Sequence, residues 1–173
     1  FVPVINIAAT PNVIAVHPNF PAKDYASFVA LLKKEPGKHS YASSGTGGIG
    51  HLQTELWKSL AGVFVTHIPY RGAGPALNDT VAGQVQIIFD NLPSALPFIK
   101  SGKLVPLVVA APERLAELPN VPTFKEVGLP AVNRLAYYGI LAPKGTPKDI
   151  VDKLNAATRK VLEEPAVKKR IAD

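Results

Sequence analysis

The stretch Tyr41-Ala42-Ser43-Ser44-Gly45-Thr46-Gly47-Gly48-Ile49-Gly50-His51-Leu52 leads from an apolar run into an amphipathic one through residues that are all Gly, Ser or Thr. A strand handing over to a helix through a glycine-rich turn is the repeating unit of an α/β sheet. The same alternation recurs outward in both directions. Strands are expected at Val13–His17, His39–Ala42, Val65–Ile68, Val85–Asp90, Leu104–Ala110 and Tyr137–Ala142. Between them, Asp24 is placed to cap a helix with a core face of Tyr25, Phe28, Val29 and Leu32, ended by Pro36-Gly37. The spacing of Ile49, Leu52, Leu56 and Leu60 predicts the buried stripe of the next helix, closed by Gly62. Shorter helices are expected near Pro75–Val81 and Ser94–Lys100. Thr146-Pro147-Lys148-Asp149 has the form of a helix start, with packing through Ile150, Val151, Leu154, Ala157 and Val161.

Composition narrows the function classes. The 173 residues are 47% apolar and 18% charged, which suits a globular α/β chain, and no apolar run reaches the roughly 20 residues that a membrane helix needs. The formal charge is +6, but the basic residues are dispersed apart from Lys168-Lys169-Arg170, and no aromatic-and-basic stripe suggests nucleic acid. With no cysteine, thiolate metal sites, disulfides and thiol nucleophiles are excluded. No pair of histidines has metal-ligand spacing, and there is no Gly-x-Ser-x-Gly nucleophile turn. Neither a metal nor a cofactor is expected, and no catalytic residue is assigned. The chain opens at Phe1 and contains no Met, which suggests that it starts inside a longer polypeptide whose signal peptide precedes it.

In open α/β sheets ligands bind beyond the carboxyl ends of the strands, which singles out three loops. The first is Ser43, Ser44, Gly45, Thr46, Gly47 and Gly48, with His51 one turn into the following helix. Backbone amides at a helix start can converge on an anion, and hydroxyls add donors; the alternative is plain turn chemistry. No Gly-Lys-Ser/Thr follows, and the dinucleotide fingerprint lacks its acidic partner. The second loop carries Tyr70 and Arg71, a ring and a guanidinium able to face a carboxylate or to sit on an ordinary surface turn. The third carries Asp90 and Asn91, and from the residues alone a helix cap is favoured over a ligand contact.

The motifs as a set have a family character. Tyr41-Ala42-Ser43-Ser44-Gly45-Thr46-Gly47-Gly48 with His51-Leu52, His67-Ile68-Pro69-Tyr70-Arg71-Gly72, Gly83-Gln84-Val85-Gln86 and Phe89-Asp90-Asn91-Leu92-Pro93-Ser94 resemble the receptors of tripartite tricarboxylate transporters, the Bug family. So do Leu118-Pro119-Asn120-Val121-Pro122-Thr123, Gly128-Leu129-Pro130 and Leu141-Ala142-Pro143-Lys144-Gly145-Thr146-Pro147. The resemblance spans nearly the whole chain. It implies a type II periplasmic-binding-protein fold, a mostly parallel sheet flanked by helices in two lobes joined by hinge strands, with the first lobe incomplete in this chain. Residues 1–17 are then expected to end lobe 1 and form the first hinge strand, 18–133 to form lobe 2, and 134–173 to return to lobe 1. The family commonly holds a ligand carboxylate between one loop of each lobe. Ser43 to Gly48 match the second-lobe loop, and Asp90 matches a position that can face the cleft. Gly47-Gly48 in place of Ser or Ala, and Arg71 in place of Lys, depart from many members.

The expected function is capture of a small carboxylate or amino acid in the periplasm and its delivery to permease subunits, by a monomer that catalyses nothing and binds no nucleic acid. The competing reading is an α/β enzyme acting on a carboxylated metabolite, with His51 or Asp90 as acid or base.

Overall fold

A computed structural model describes residues 1–172. Its strands are β1 (Val2–Thr10), β2 (Asn12–Val16), β3 (Ser40–Ser43), β4 (Thr66–Pro69), β5 (Ile87–Asn91), β6 (Val105–Ala110) and β7 (Ala136–Ala142). Its helices are α1 (Tyr25–Lys34), α2 (Ile49–Ala61), α3 (Ala73–Val81), α4 (Leu92–Lys100), α5 (Lys148–Glu163) and α6 (Pro165–Ala172). All six expected strands are present within two residues of their expected limits, and β1 is a further strand that the sequence pattern does not announce. No helix among the described residues is long and apolar enough to cross a membrane.

The chain divides into two compact units, Thr10–Ala136 and a second made of Phe1–Ala9 with Tyr137–Asp173. The first unit holds a five-stranded sheet in the order β4-β3-β5-β2-β6. β3 runs parallel to β4 and β5, and β2 runs antiparallel to both β5 and β6, so four strands share one direction and β2 opposes them. Every residue of β2 is buried, as a strand with neighbours on both edges and helices on both faces requires. Val13–Val16 lie inside this sheet, within the unit Thr10–Ala136.

Strand alternation sorts the core into two layers. Ile14, Tyr41, Phe89, Phe28, Leu32 and Trp57 fill one, and Val13, Ala42, Ile88, Leu77, Ala95 and Val109 fill the other. Asp24 caps α1 as expected, accepting from the Ser27 amide at 2.9 Å.

The orientation of α2 overturns the sequence expectation. The helix buries Gly50, Gln53, Thr54 and Trp57, while Leu52 is 57% and Leu60 49% exposed, with Ile49 and Leu56 on the same open face. Gly50 decides this. A Cβ there would lie 2.6 Å from the Phe89 carbonyl oxygen, so only glycine lets the first turn of α2 come down on the end of β5. Once that turn is seated, the helical period carries Gln53, Thr54 and Trp57 inward and the leucines outward.

The second unit contains most of the two-stranded sheet β1-β7 and the helices α5 and α6. Gly139 again permits close approach, its absent Cβ falling 2.9 Å from the Ile5 carbonyl oxygen. Asn155 on α5 donates to the Val4 carbonyl at 2.6 Å. Two expectations change here. Thr146 does not cap α5, which has Pro147 at its N-cap and no side-chain cap bond; the Thr146 hydroxyl donates to the Pro143 carbonyl at 2.9 Å in the preceding turn. The stripe expected to pack is open among the described residues, with Ile150, Leu154 and Val161 at 43%, 45% and 46% exposure.

The seating of α2 has a direct test. Trp57→Ala should lower unfolding free energy by about 3–5 kcal/mol through the cavity it leaves. Leu60→Ser on the open face should change it by less than about 0.5 kcal/mol. Urea titrations of the two variants measure both.

Candidate functional site at the start of helix α2

Ser43, Ser44, Gly45, Thr46, Gly47 and Gly48 leave β3 at its carboxyl end and open α2. Two backbone bonds hold the loop against the one that follows β4: the Tyr70 amide donates to the Ser43 carbonyl and the Gly72 amide to the Ser44 carbonyl, each at 3.0 Å. Gly48 is the N-cap and supplies no side-chain acceptor to the helix. The amides of Ile49, Gly50 and His51 lie in the first turn, where no carbonyl one turn back exists within the helix, and the helix dipole adds positive potential there. Thr46 and Gly47 are exposed and Gly48 half-buried, so this end faces solvent. Gly47 takes φ +80°, a conformation that side-chain-bearing residues rarely adopt.

Beneath the loop lies a column of rings that periodicity could not show. Tyr41 of β3 stacks on His67 of β4 at 4.8 Å, and His67 stacks on His51 of α2 at 4.1 Å with 10° between planes. Polar contacts fix each ring. The Tyr41 hydroxyl donates to Glu55 Oε1 at 2.9 Å, and Glu55 pairs with Lys58 at 2.8 Å. Ser43 Oγ is 2.6 Å from His67 Nε2, and the Gly47 amide donates to His51 Nδ1 at 3.1 Å. Burial lowers the His67 pKa, and the neighbouring His51 lowers it further. Burial pushes Glu55 up, yet Lys58 and the Tyr41 hydroxyl together hold it below the usual carboxylate range. Burial and Glu55 raise Tyr41, keeping the phenol protonated.

The Ser43–His67 pair has the spacing of a nucleophile and its base, but Ser43 is fully buried and no carboxylate hydrogen-bonds His67 among the described residues. The same Oγ also accepts from the Gly45 amide at 3.2 Å, within the loop.

The other sequence candidates fall in different surroundings. The Tyr70 hydroxyl donates to Asp79 Oδ2 at 2.9 Å, turned toward α3, while Arg71 is exposed beside the loop. Asp90, in β5, is 2% exposed, and its Oδ2 has no hydrogen-bond partner. It alternates with Phe89 and so shares the sheet face of Ile88. Burial raises its pKa to about 6, partly offset by the Asn91 amide. The helix-cap reading of this loop does not hold: Asn91 occupies the N-cap of α4 but makes no side-chain cap bond, and its Oδ1 instead accepts from Thr10 Oγ1 at 3.4 Å.

Reading of the sequence alone missed a buried amide network at the same end of the sheet. Asn12 Nδ2 donates to Gln53 Oε1 at 2.8 Å, and Gln53 Nε2 donates to the Val132 and Arg134 carbonyls at 2.6 and 2.8 Å. This ties α2 to the segment leaving the first unit. Among the described residues no group of three His, Cys, Asp or Glu side chains could hold a metal ion.

Known proteins share this architecture. A solved structure described as a periplasmic transporter is 51% identical, superposes with a TM-score of 0.88, and matches 98% of this chain to 56% of its own. MatC (Rpa3494) from Rhodopseudomonas palustris with bound malate is 36% identical at a TM-score of 0.91, matching 100% of this chain and 59% of that one. Rpa4515 from the same organism, solved with adipate, is 35% identical at 0.86, over 98% and 57%. The chain spans about half the length of the curated relatives it matches, among them BugT of Bordetella pertussis, 33% identical over 96% of this chain and 51% of that protein. The family model for the tripartite tricarboxylate transporter family receptor, TctC, matches residues 1–173. The α/β architecture is that of periplasmic binding proteins, and the chain belongs to the receptors of the tripartite tricarboxylate transporter family.

Proposed function

We propose that this chain forms part of a periplasmic receptor that captures a small carboxylate at the Ser43–Gly48 loop and delivers it to membrane permease subunits. The observation that carries the proposal is the uncapped start of α2: Gly48 offers no acceptor of its own, and the loop around it contains no Lys or Arg. A carboxylate oxygen placed there supplies the missing acceptor, and charge-assisted bonds from amides and short hydroxyls hold it. Relatives solved with malate and adipate support a small diacid as the ligand class, and an amino acid offers the same carboxylate. Arg71, at the rim, adds attraction for the anion.

The two compact units correspond, on this reading, to lobe 2 and a portion of lobe 1, with β1 and β7 as the connecting strands. The receptor acts as a monomer, is exported behind a signal peptide, and catalyses nothing. Asp90 serves the ligand rather than the fold. A buried carboxyl with an unpartnered oxygen and a raised pKa weakens the folded state at neutral pH, so its value lies in a contact that the fold does not supply, such as a ligand hydroxyl or amine.

Calorimetry with malate and adipate tests the loop. Gly47→Val should abolish binding while circular dichroism remains native, because a branched side chain neither accepts φ +80° readily nor lets the ligand approach. Ser44→Ala should weaken binding about tenfold where its hydroxyl meets the carboxylate. A folded Gly47→Val with parental affinity overturns the site.

Asp90 gives a second test with a defined pH sign. Its folded pKa, about 6, lies above the ordinary value of 3.8, so the native state binds more protons than the unfolded chain between those limits. Its contribution is therefore neutral below about pH 4 and becomes destabilising as pH rises through about 6. Asp90→Asn should be more stable than the parent by about 1–3 kcal/mol at neutral pH, with the difference vanishing below about pH 4. Its malate affinity should fall severalfold while adipate, which has no hydroxyl, is little affected.

A further inference from the structure

We propose that ligand capture is coupled to uptake of one proton at His51, which His67 holds in position as a neutral stacking plate. This deepens the receptor reading and rests on it. The geometry begins with the Gly47 amide, which donates to His51 Nδ1 at 3.1 Å. Only a neutral imidazole with a bare Nδ1 can accept that bond. In this state one of the exposed loop amides is committed to the protein, not to a ligand. Protonation places a hydrogen on Nδ1, breaks the bond, frees the Gly47 amide, and sets a cation one turn from the carboxylate. Ligand and proton then favour each other, as linkage requires.

The surroundings direct the proton to His51. Its partner in the stack, His67, is held by Ser43 Oγ at 2.6 Å and kept neutral by burial, so two cations are not forced together at 4.1 Å. The charged and titratable groups facing the pair are Tyr41 from β3 and Glu55 and Lys58 from α2 itself. Glu55 is already paired with Lys58 at 2.8 Å, and Tyr41 stays protonated, so neither supplies a competing site near neutrality. His51 is half-buried, so its ring reaches solvent, and its Nδ1 is the atom that accepts from the loop at Gly47. His67 acts through His51 and is a positioning residue.

The test is calorimetric titration of adipate and malate into the full-length receptor between about pH 8.5 and about pH 6.5, where both diacids stay ionised, in buffers of different ionisation enthalpy. Affinity should rise by about tenfold across that range, which corresponds to an average uptake of about half a proton per ligand, since one proton throughout would give about tenfold per pH unit. His51→Gln, which offers a non-titrating acceptor to Gly47, should bind with a pH dependence of less than about twofold and no proton uptake. His67→Phe keeps a ring under His51 and should keep the dependence, as should Asp90→Asn. A parent that binds with equal affinity and no proton uptake across the range overturns this inference and leaves the receptor reading intact. The inference is equally overturned if the dependence survives His51→Gln, or is lost in His67→Phe or Asp90→Asn. Absence of binding to either diacid at every pH overturns the receptor reading and this inference together.

Discussion

The contact between Gly50 and the Phe89 carbonyl governs the functional end of the first unit. A Cβ at this position would overlap the oxygen at 2.6 Å, so the side-chain-free backbone allows α2 to start directly over the end of β5. Everything proposed for the site follows from that seating. It aims the first-turn amides past the sheet edge, brings His51 onto His67, and drops Gln53 into reach of Asn12 and of the Val132 and Arg134 carbonyls.

The strand and helix order was legible because the strands are short apolar runs bounded by turn residues, and the Asp24 cap was legible because its partner is three residues away. The direction of β2 was not. Nothing in Asn12–Val16 records that its neighbours are β5 and β6 and that it opposes both, since those partners lie more than seventy residues along the chain. The face of α2 was misread for a physical reason. Leucine spacing is a sound guide when apolar area decides the orientation. Here Gly50, Gln53 and Trp57 decide it through close approach, buried hydrogen bonds and one large ring, and the leucine stripe is left open. Thr146 differs too: its hydroxyl donates back to the Pro143 carbonyl in the preceding turn, and α5 starts one residue later with Pro147 at its N-cap.

The candidate loop was visible as a string of Gly, Ser and Thr between two elements, whereas its support was not. Nothing in the sequence places His67 between Tyr41 and His51. The three rings come from β3, β4 and α2, and only the parallel register of β3 on β4, which sets Tyr41 opposite His67, brings the first two together. Tyr70 shows the converse. Its sequence surroundings left a ligand contact and a surface turn both open, and they did not show that nine residues on, Asp79 on α3 accepts from its hydroxyl.

The chemistry of the proposed site follows from keeping fixed cations out of the loop. A lysine at the helix start would attract carboxylates at long range but would bring a flexible stem and a permanent charge that the empty site must solvate. Oriented amides need no such solvation and are already fixed by the helix, so little reorganisation accompanies capture. Their attraction is weaker than that of a full charge, which leaves room for a group that becomes charged only when the anion is present. In the proposed coupling, a histidine held in a ring stack, with one nitrogen bonded to the loop itself, meets that requirement: it accepts from the loop amide before capture and releases that amide on taking up the proton. On that proposal, the column of Tyr41, His67 and His51 lets an uncharged loop bind a charged molecule without storing a charge in its absence.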